Sequence, residues 1–184
     1  MKRIIALLAG VTVVGVMSSM AQGTLNFVNT AATRVKTPEA VNIAASAGYT
    51  VELLWGTAEG AINNSAGTAG FSSIAGIFNG GVLTLPGTAT GDRPWITIRV
   101  WDTKGATVTS WSQVMASTSP IAMGEYTWQL GSGLGGPNTG APDSPPSALT
   151  GFVAPTLSYY VVPEPATYAL LALGAAALFL RRRK

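Results

Sequence analysis

The chain has 184 residues, 47% of them hydrophobic and only 10% charged, which suits one modest domain and is too apolar for a disordered polypeptide. It contains no cysteine and no histidine. Disulfides, thiolate nucleophiles, Ser-His-Asp and Cys-His relays, and zinc, copper or haem sites built on imidazole or thiolate are thereby excluded. The net charge of +3 belongs to the two ends: between Gln22 and Val162, five bases stand against seven acids, a net of −2, with no cation cluster for nucleic acid.

Residues 1–21 have the three parts of a secretory signal peptide. Lys2-Arg3 is the charged region, Ile4 to Met17 is an apolar run, and Ser19-Met20-Ala21 sets small residues at the −3 and −1 positions. Signal peptidase is expected to cut after Ala21 and free Gln22. The alternative is a retained membrane anchor.

The segment 22–162 reads as strands. Tyr49, Val51, Leu53 and Trp55 are apolar at every second position, with Thr50 and Glu52 between them. That period of two marks a half-buried strand. Ile96, Ile98 and Val100 form a second such row, with Trp95, Thr97, Arg99 and Trp101 on the opposite face. Shorter candidates are Thr24–Asn29, Gly70–Phe78, Gly81–Leu85, Thr107–Val114, Glu125–Leu130 and Phe152–Val162. Asn63-Asn64-Ser65, Asn79-Gly80-Gly81 and Gly87-Thr88 punctuate them, and Asn79-Gly80 between apolar runs signals a hairpin. Ala40–Ala47 suits a short helix or a strand. The expected fold is mainly β, an antiparallel β-sandwich of jelly-roll or immunoglobulin-like type, flanked by the signal helix and a C-terminal hydrophobic helix. Residues 131–147, rich in Gly and Pro, are expected to form a poorly ordered loop or linker.

Several residue groups invite a chemical reading. Gly131, Gly133 and Gly136 match G-x-G-x-x-G, but Pro137-Asn138-Thr139-Gly140 follows, and no helix that would hold pyrophosphate can start there. Carboxylates are the only plausible general acids or bases, and Glu52, Asp102 and Glu125 are the candidates for a hydrolase that needs two facing carboxylates. The plainer reading makes Glu52 the solvent-facing residue of its strand and Asp102 the start of a turn with Lys104. Asp92, Asp102 or Asp143 with loop carbonyls suit calcium, yet no D-x-D-x-D series exists. No metal or other cofactor is expected. The five tryptophans all fall between Gln22 and Val162. If the row Ile96, Ile98, Val100 faces the core, Trp95 and Trp101 face outward about 20 Å apart at strand rise. With Arg99 beside them, they would suit stacking on sugar rings. The competing expectation is that these rings pack into the domain, as large aromatics usually do.

The last 22 residues read Pro163-Glu164-Pro165, an apolar run from Ala166 to Leu180, and Arg181-Arg182-Arg183-Lys184. Fifteen residues make about 22 Å of helix, short for a bilayer core of about 30 Å. Both basic ends belong in the cytoplasm by the positive-inside rule, which leaves the segment between them outside. This triplet, helix and arginine cluster resemble the PEP-CTERM sorting signal of Gram-negative bacteria. The resemblance implies recognition by an exosortase, cleavage near Pro163, Glu164 and Pro165, loss of the helix, and delivery to the cell surface or an exopolysaccharide matrix. Arg181, Arg182 and Arg183 would complete the sorting signal. The start of the chain and the surroundings of Trp55 and Trp101 also resemble small surface proteins of Verrucomicrobia-type bacteria.

The expected organisation is thus a signal peptide over 1–21, a β ectodomain over 22–162 and a sorting signal over 163–184. The expected function is that of a non-enzymatic structural or interaction protein. It would be exported through the inner membrane, held there transiently by 166–180, and displayed at the surface or in an extracellular matrix. Its partners in export would be signal peptidase and exosortase, with exopolysaccharide as the expected neighbour. The alternative is a secreted carbohydrate-binding module using Trp95, Arg99 and Trp101.

Overall fold

The computed structural model describes residues 22–136, 145–162, 170, 171 and 173. Within them the protein is mainly β, with all strand pairs antiparallel in two sheets. Strands β1 (Gln22–Val28) and β4 (Asn79–Ala89) form a two-stranded ribbon. A five-stranded sheet has the order β3-β2-β5-β6-β7, built from β2 (Tyr49–Gly56), β3 (Asn64–Gly70), β5 (Trp95–Asp102), β6 (Ile121–Gln129) and β7 (Ser158–Tyr160).

The two clean alternating rows behave as their period dictates. Val51, Leu53 and Trp55 of β2 and Ile96, Ile98 and Val100 of β5 point to one face and are buried. Leu25, Phe27 and Leu85 of the ribbon meet them in a single core, closed by Phe71, Phe78, Trp128 and Phe152. Phe78 lies edge-on to Phe71 and Phe152, with ring centroids 6.3 and 5.9 Å apart, an arrangement the ring quadrupoles favour. Register confirms the shared face, since Val51 pairs Val100, Leu53 pairs Ile98 and Trp55 pairs Ile96.

Several expected boundaries shift. Gly70–Phe78 is not a strand: β3 ends at Gly70, and Phe71 and Phe78 meet in a single bridge across the intervening loop. The punctuation expected at Asn63-Asn64-Ser65 instead opens β3, whose small polar residues have weak strand preference but complete the hydrogen-bond ladder of β2. Asn79-Gly80 makes no tight hairpin. It begins β4, and a register irregularity falls at the Val28–Asn79 pair. Gly87-Thr88 likewise lies inside β4, where pairing jumps from Gly23–Leu85 to Gln22–Ala89. Pro86, which has no N–H for the ladder, sits in that excursion, and Thr88 Oγ1 donates to Leu85 O at 2.7 Å.

Thr107–Val114 is not a strand either. Residues Trp111–Ala116 form a short helix, α1, with Ser110 as its cap. The signal was present in the sequence as Ser110-x-x-Gln113, a helix-start pattern, and Gln113 Oε1 accepts from Thr109 N at 2.7 Å. Ala40–Ala47 resolves as a 3-10 turn over Ala45–Ala47. Of Phe152–Val162, only Ser158–Tyr160 is strand.

The two described flanks of the Gly/Pro-rich stretch are pinned to β1; residues 137–144 lie outside the described set. Thr24 N donates to Gly135 O at 2.6 Å, and Asn26 N donates to Ser147 O at 2.7 Å. Leu134 is buried in the main core. Gly133 is required there by contact rather than by a ligand: a Cβ on it would lie 2.6 Å from Gly91 O.

Candidate functional site

The face of the five-stranded sheet opposite the main core carries Glu52, Arg99, Trp101 and Glu125 of the side chains that the sequence singles out. Register places Thr68, Glu52, Arg99 and Glu125 in one row across β3, β2, β5 and β6. Thr97 and Thr127 pair in the next row, their hydroxyls 2.7 Å apart. Arg99 Nε donates to Glu125 Oε2 at 3.3 Å, and its guanidinium carbon lies 4.9 Å from the Trp111 ring centroid. Glu52 accepts a hydrogen bond from Ser65 Oγ at 3.0 Å. Arg99 is therefore held between a carboxylate and an aromatic face, both of which stabilise its charge.

The aromatic platform expected from Trp95, Arg99 and Trp101 is not laid out as anticipated. Trp101 does lie on the face opposite the aliphatic row, but it is only 1% exposed. Helix α1 folds over it, and Trp101, Val114 and Ile121 make a second small core, with Val108, Trp111 and Met123 packed against it. The Trp101 and Trp111 rings meet edge to face at 5.9 Å, and Trp101 Nε1 donates to Val108 O at 3.3 Å. Trp95 is half-buried. The cover comes from α1, where the sequence predicts a strand over Thr107–Val114.

The carboxylate candidates are not opposed across a cleft. Glu52 lies in the Arg99 row, whereas Asp102 pairs with Tyr49, whose side chain packs on the main core, so the two belong to opposite faces. Asp102 opens a turn, as its proximity to Lys104 suggests: Oδ1 accepts from Lys104 N at 2.7 Å and Oδ2 lies 3.2 Å from Lys104 Nζ. Glu125 shares the face of Glu52 but has Arg99 between them in register. Asp92 Oδ2 accepts from Ala89 N, and among the described residues no group of three acidic side chains is placed to hold a metal ion. Asp143 lies outside the described residues.

Two titrating groups are perturbed where β7 meets the turn at Glu39. Tyr159 Oη donates to Glu39 Oε1 at 2.5 Å, and this bond holds the Glu39 carboxyl below its ordinary range and pushes the Tyr159 phenol up. Burial, with the Asp102 carboxylate second, pushes Tyr49 up to about 12.

The remaining site residues are in the two end segments. Ser19 and Ala21, at the expected signal cleavage site, lie outside the described residues, as do Pro163, Glu164, Pro165, Arg181, Arg182 and Arg183. Leu170, Leu171 and Leu173 are helical and exposed. Among the described residues no helix is long and apolar enough to cross a membrane.

The β domain is followed by a proline-bounded apolar segment and a basic cluster, the layout of a C-terminal sorting signal. The family model for the PEP-CTERM protein-sorting motif matches residues 161–184. The match covers the tail alone, and the β domain lies outside it. The motif implies export and processing by an exosortase. Neither the curated proteins nor the solved structures offer a significant match to this chain.

Proposed function

We propose that this protein is a non-enzymatic structural or interaction protein, exported through the inner membrane and sorted to the cell surface or an extracellular matrix. The PEP-CTERM motif at 161–184 carries the reading. In this scheme signal peptidase frees Gln22, the 166–180 segment holds the chain in the inner membrane, and exosortase cuts near Pro163-Glu164-Pro165. The displayed part is a small β-sandwich, the ribbon of β1 and β4 forming one layer and the five-stranded sheet the other. Its single core drawn from both sheets supports that description.

The carbohydrate-binding alternative draws little from the geometry, since Trp101 is buried and Arg99 is engaged by Glu125 and Trp111. The absence of histidine and cysteine narrows the enzymatic options to carboxylate chemistry. Separation of Glu52 and Asp102 onto opposite faces disfavours that pair as an acid and base.

The test is the intact mass of the native protein recovered separately from membrane, outer-surface and medium fractions. Sorting is expected to yield a surface or medium species that starts near Gln22 and ends close to Pro163–Pro165. A species still carrying Arg181–Lys184 and confined to the inner membrane would overturn the sorting scheme and leave a plain anchored ectodomain.

A further inference from the structure

Arg34 and Lys36 are two of the five bases between Gln22 and Val162, and they line one cavity with no carboxylate in an ion pair with either among the described residues. Both line a cavity of about 260 Å³ whose other walls include Thr37, Pro38, Ala154 and Pro155. The chain reaches this arrangement through backbone pairing: Lys36 bridges Asn42 on one side and Thr156 on the other, so the basic segment is laid along the stretch leading into β7. Gly76, whose Cβ would approach Arg34 Cβ to 2.8 Å, lets the arginine stem pack against the loop behind it.

The other interior cations have visible counterparts. Arg99 faces Glu125, Lys104 faces Asp102, and Arg93 donates to the carbonyls of Leu130 and Gly131. Arg34 and Lys36 form no ion pair among the described residues. Arg34 Nε is shielded from solvent and has no acceptor there. A shielded guanidinium N–H without an acceptor is costly, and the rest of the Arg34 guanidinium with the Lys36 ammonium is left without an anionic partner, which an incoming anion would supply. Glu39, the acid nearest in sequence, is already bonded to Tyr159 Oη.

We propose that this cavity binds one small organic oxyanion, a carboxylate or sulfate group carried on a body the size of a single sugar. The charge would be met by Arg34 and Lys36, and the carbon body by the Pro38, Ala154 and Pro155 wall. The cavity is near the lower end of ligand-pocket volumes, about 300 Å³, which fits one such unit and excludes a dinucleotide. The partly apolar wall favours an organic anion over a bare inorganic ion. The site stands apart from the sorting motif, so its failure would leave the proposed export route untouched.

The probe is calorimetric titration of the full chain, in detergent, with sodium glucuronate, sodium sulfate and sodium chloride at matched ionic strength. Saturable one-to-one binding of glucuronate, tighter than sulfate and absent for chloride, is the expected result. Lys36 is exposed, so Lys36→Gln should leave the melting temperature unchanged while weakening glucuronate about tenfold. Arg34→Gln should weaken it further. Equal affinity for glucuronate and sulfate would overturn the organic-ligand assignment. Absence of binding, or binding unchanged in a folded Lys36→Gln protein, would overturn the site itself.

Discussion

Asn29 shows how one buried polar side chain can determine a local structure. Its Nδ2 donates to Thr33 O at 2.6 Å and to Gly76 O at 3.0 Å, and its Oδ1 accepts from Phe78 N at 2.8 Å. These bonds tie the end of β1 to the loop that presents Phe78 to the core. Replacing it by alanine leaves a buried N–H without a partner, so Asn29→Ala is expected to cost about 2 kcal/mol in urea-unfolding experiments. Leu53 and Ile98, fully buried and paired across β2 and β5, bring a different cost. Ile98→Ala should lose about 3 kcal/mol through lost transfer energy and the cavity left behind. Tyr49 supplies a pH signature. Its phenol is raised from 10.0 to about 12 by burial, so the folded state favours the protonated form. Its stabilising contribution is complete below pH 10 and is lost as pH rises through 12. Unfolding measured across that range should fall less steeply for Tyr49→Phe than for the natural chain. Glu39 has the opposite sign. Its pKa is depressed from 4.5 by the Tyr159 bond, so its contribution is present above that value and fades as pH falls through the lowered one.

At the scale of elements, α1 decides the character of the outer sheet face. Ser110 caps a helix of only one and a half turns, and its hydroxyl accepts from Gln113 N at 3.4 Å. Such a helix has little intrinsic stability and depends on the contact of Trp111 and Val114 with Trp101. Ser110→Ala should cost about 1 kcal/mol. It should also shift tryptophan emission to longer wavelength, because Trp101 and Trp111 gain water as α1 loosens. Unchanged emission would mean that packing alone holds the helix. The apolar rows of β2 and β5 were readable because period two leaves one arrangement for a half-buried strand. α1 was readable in its cap but was hidden by the short apolar run around it. β3 was not readable, since Asn64–Gly70 has no hydrophobic period and becomes a strand only because β2 has an edge to satisfy.

For the whole molecule, the core joins the ribbon and the five-stranded sheet through long-range pairing: β1 meets β4, β2 meets β5, and Ser147 returns to β1. The loop flanks at Gly135 and Ser147 are therefore part of the fold. The sorting tail is a separate unit by its chemistry. Removing 163–184 should leave the β domain's unfolding midpoint unchanged while abolishing surface delivery.

The sequence by itself determined the sorting motif, because a proline-bounded apolar run with a basic end is a linear pattern read along the chain. It also determined the β class and the two central strands, whose side-chain period follows from strand geometry. Tertiary structure decided which tryptophans were available. Trp101 lies on the face its period predicts, but whether that face is open depends on α1, an element packed against it from elsewhere in the chain. The same holds for the carboxylates and for Arg34 and Lys36. Their chemistry is set by what register and loop closure bring beside them, and local periodicity carries no information about those neighbours.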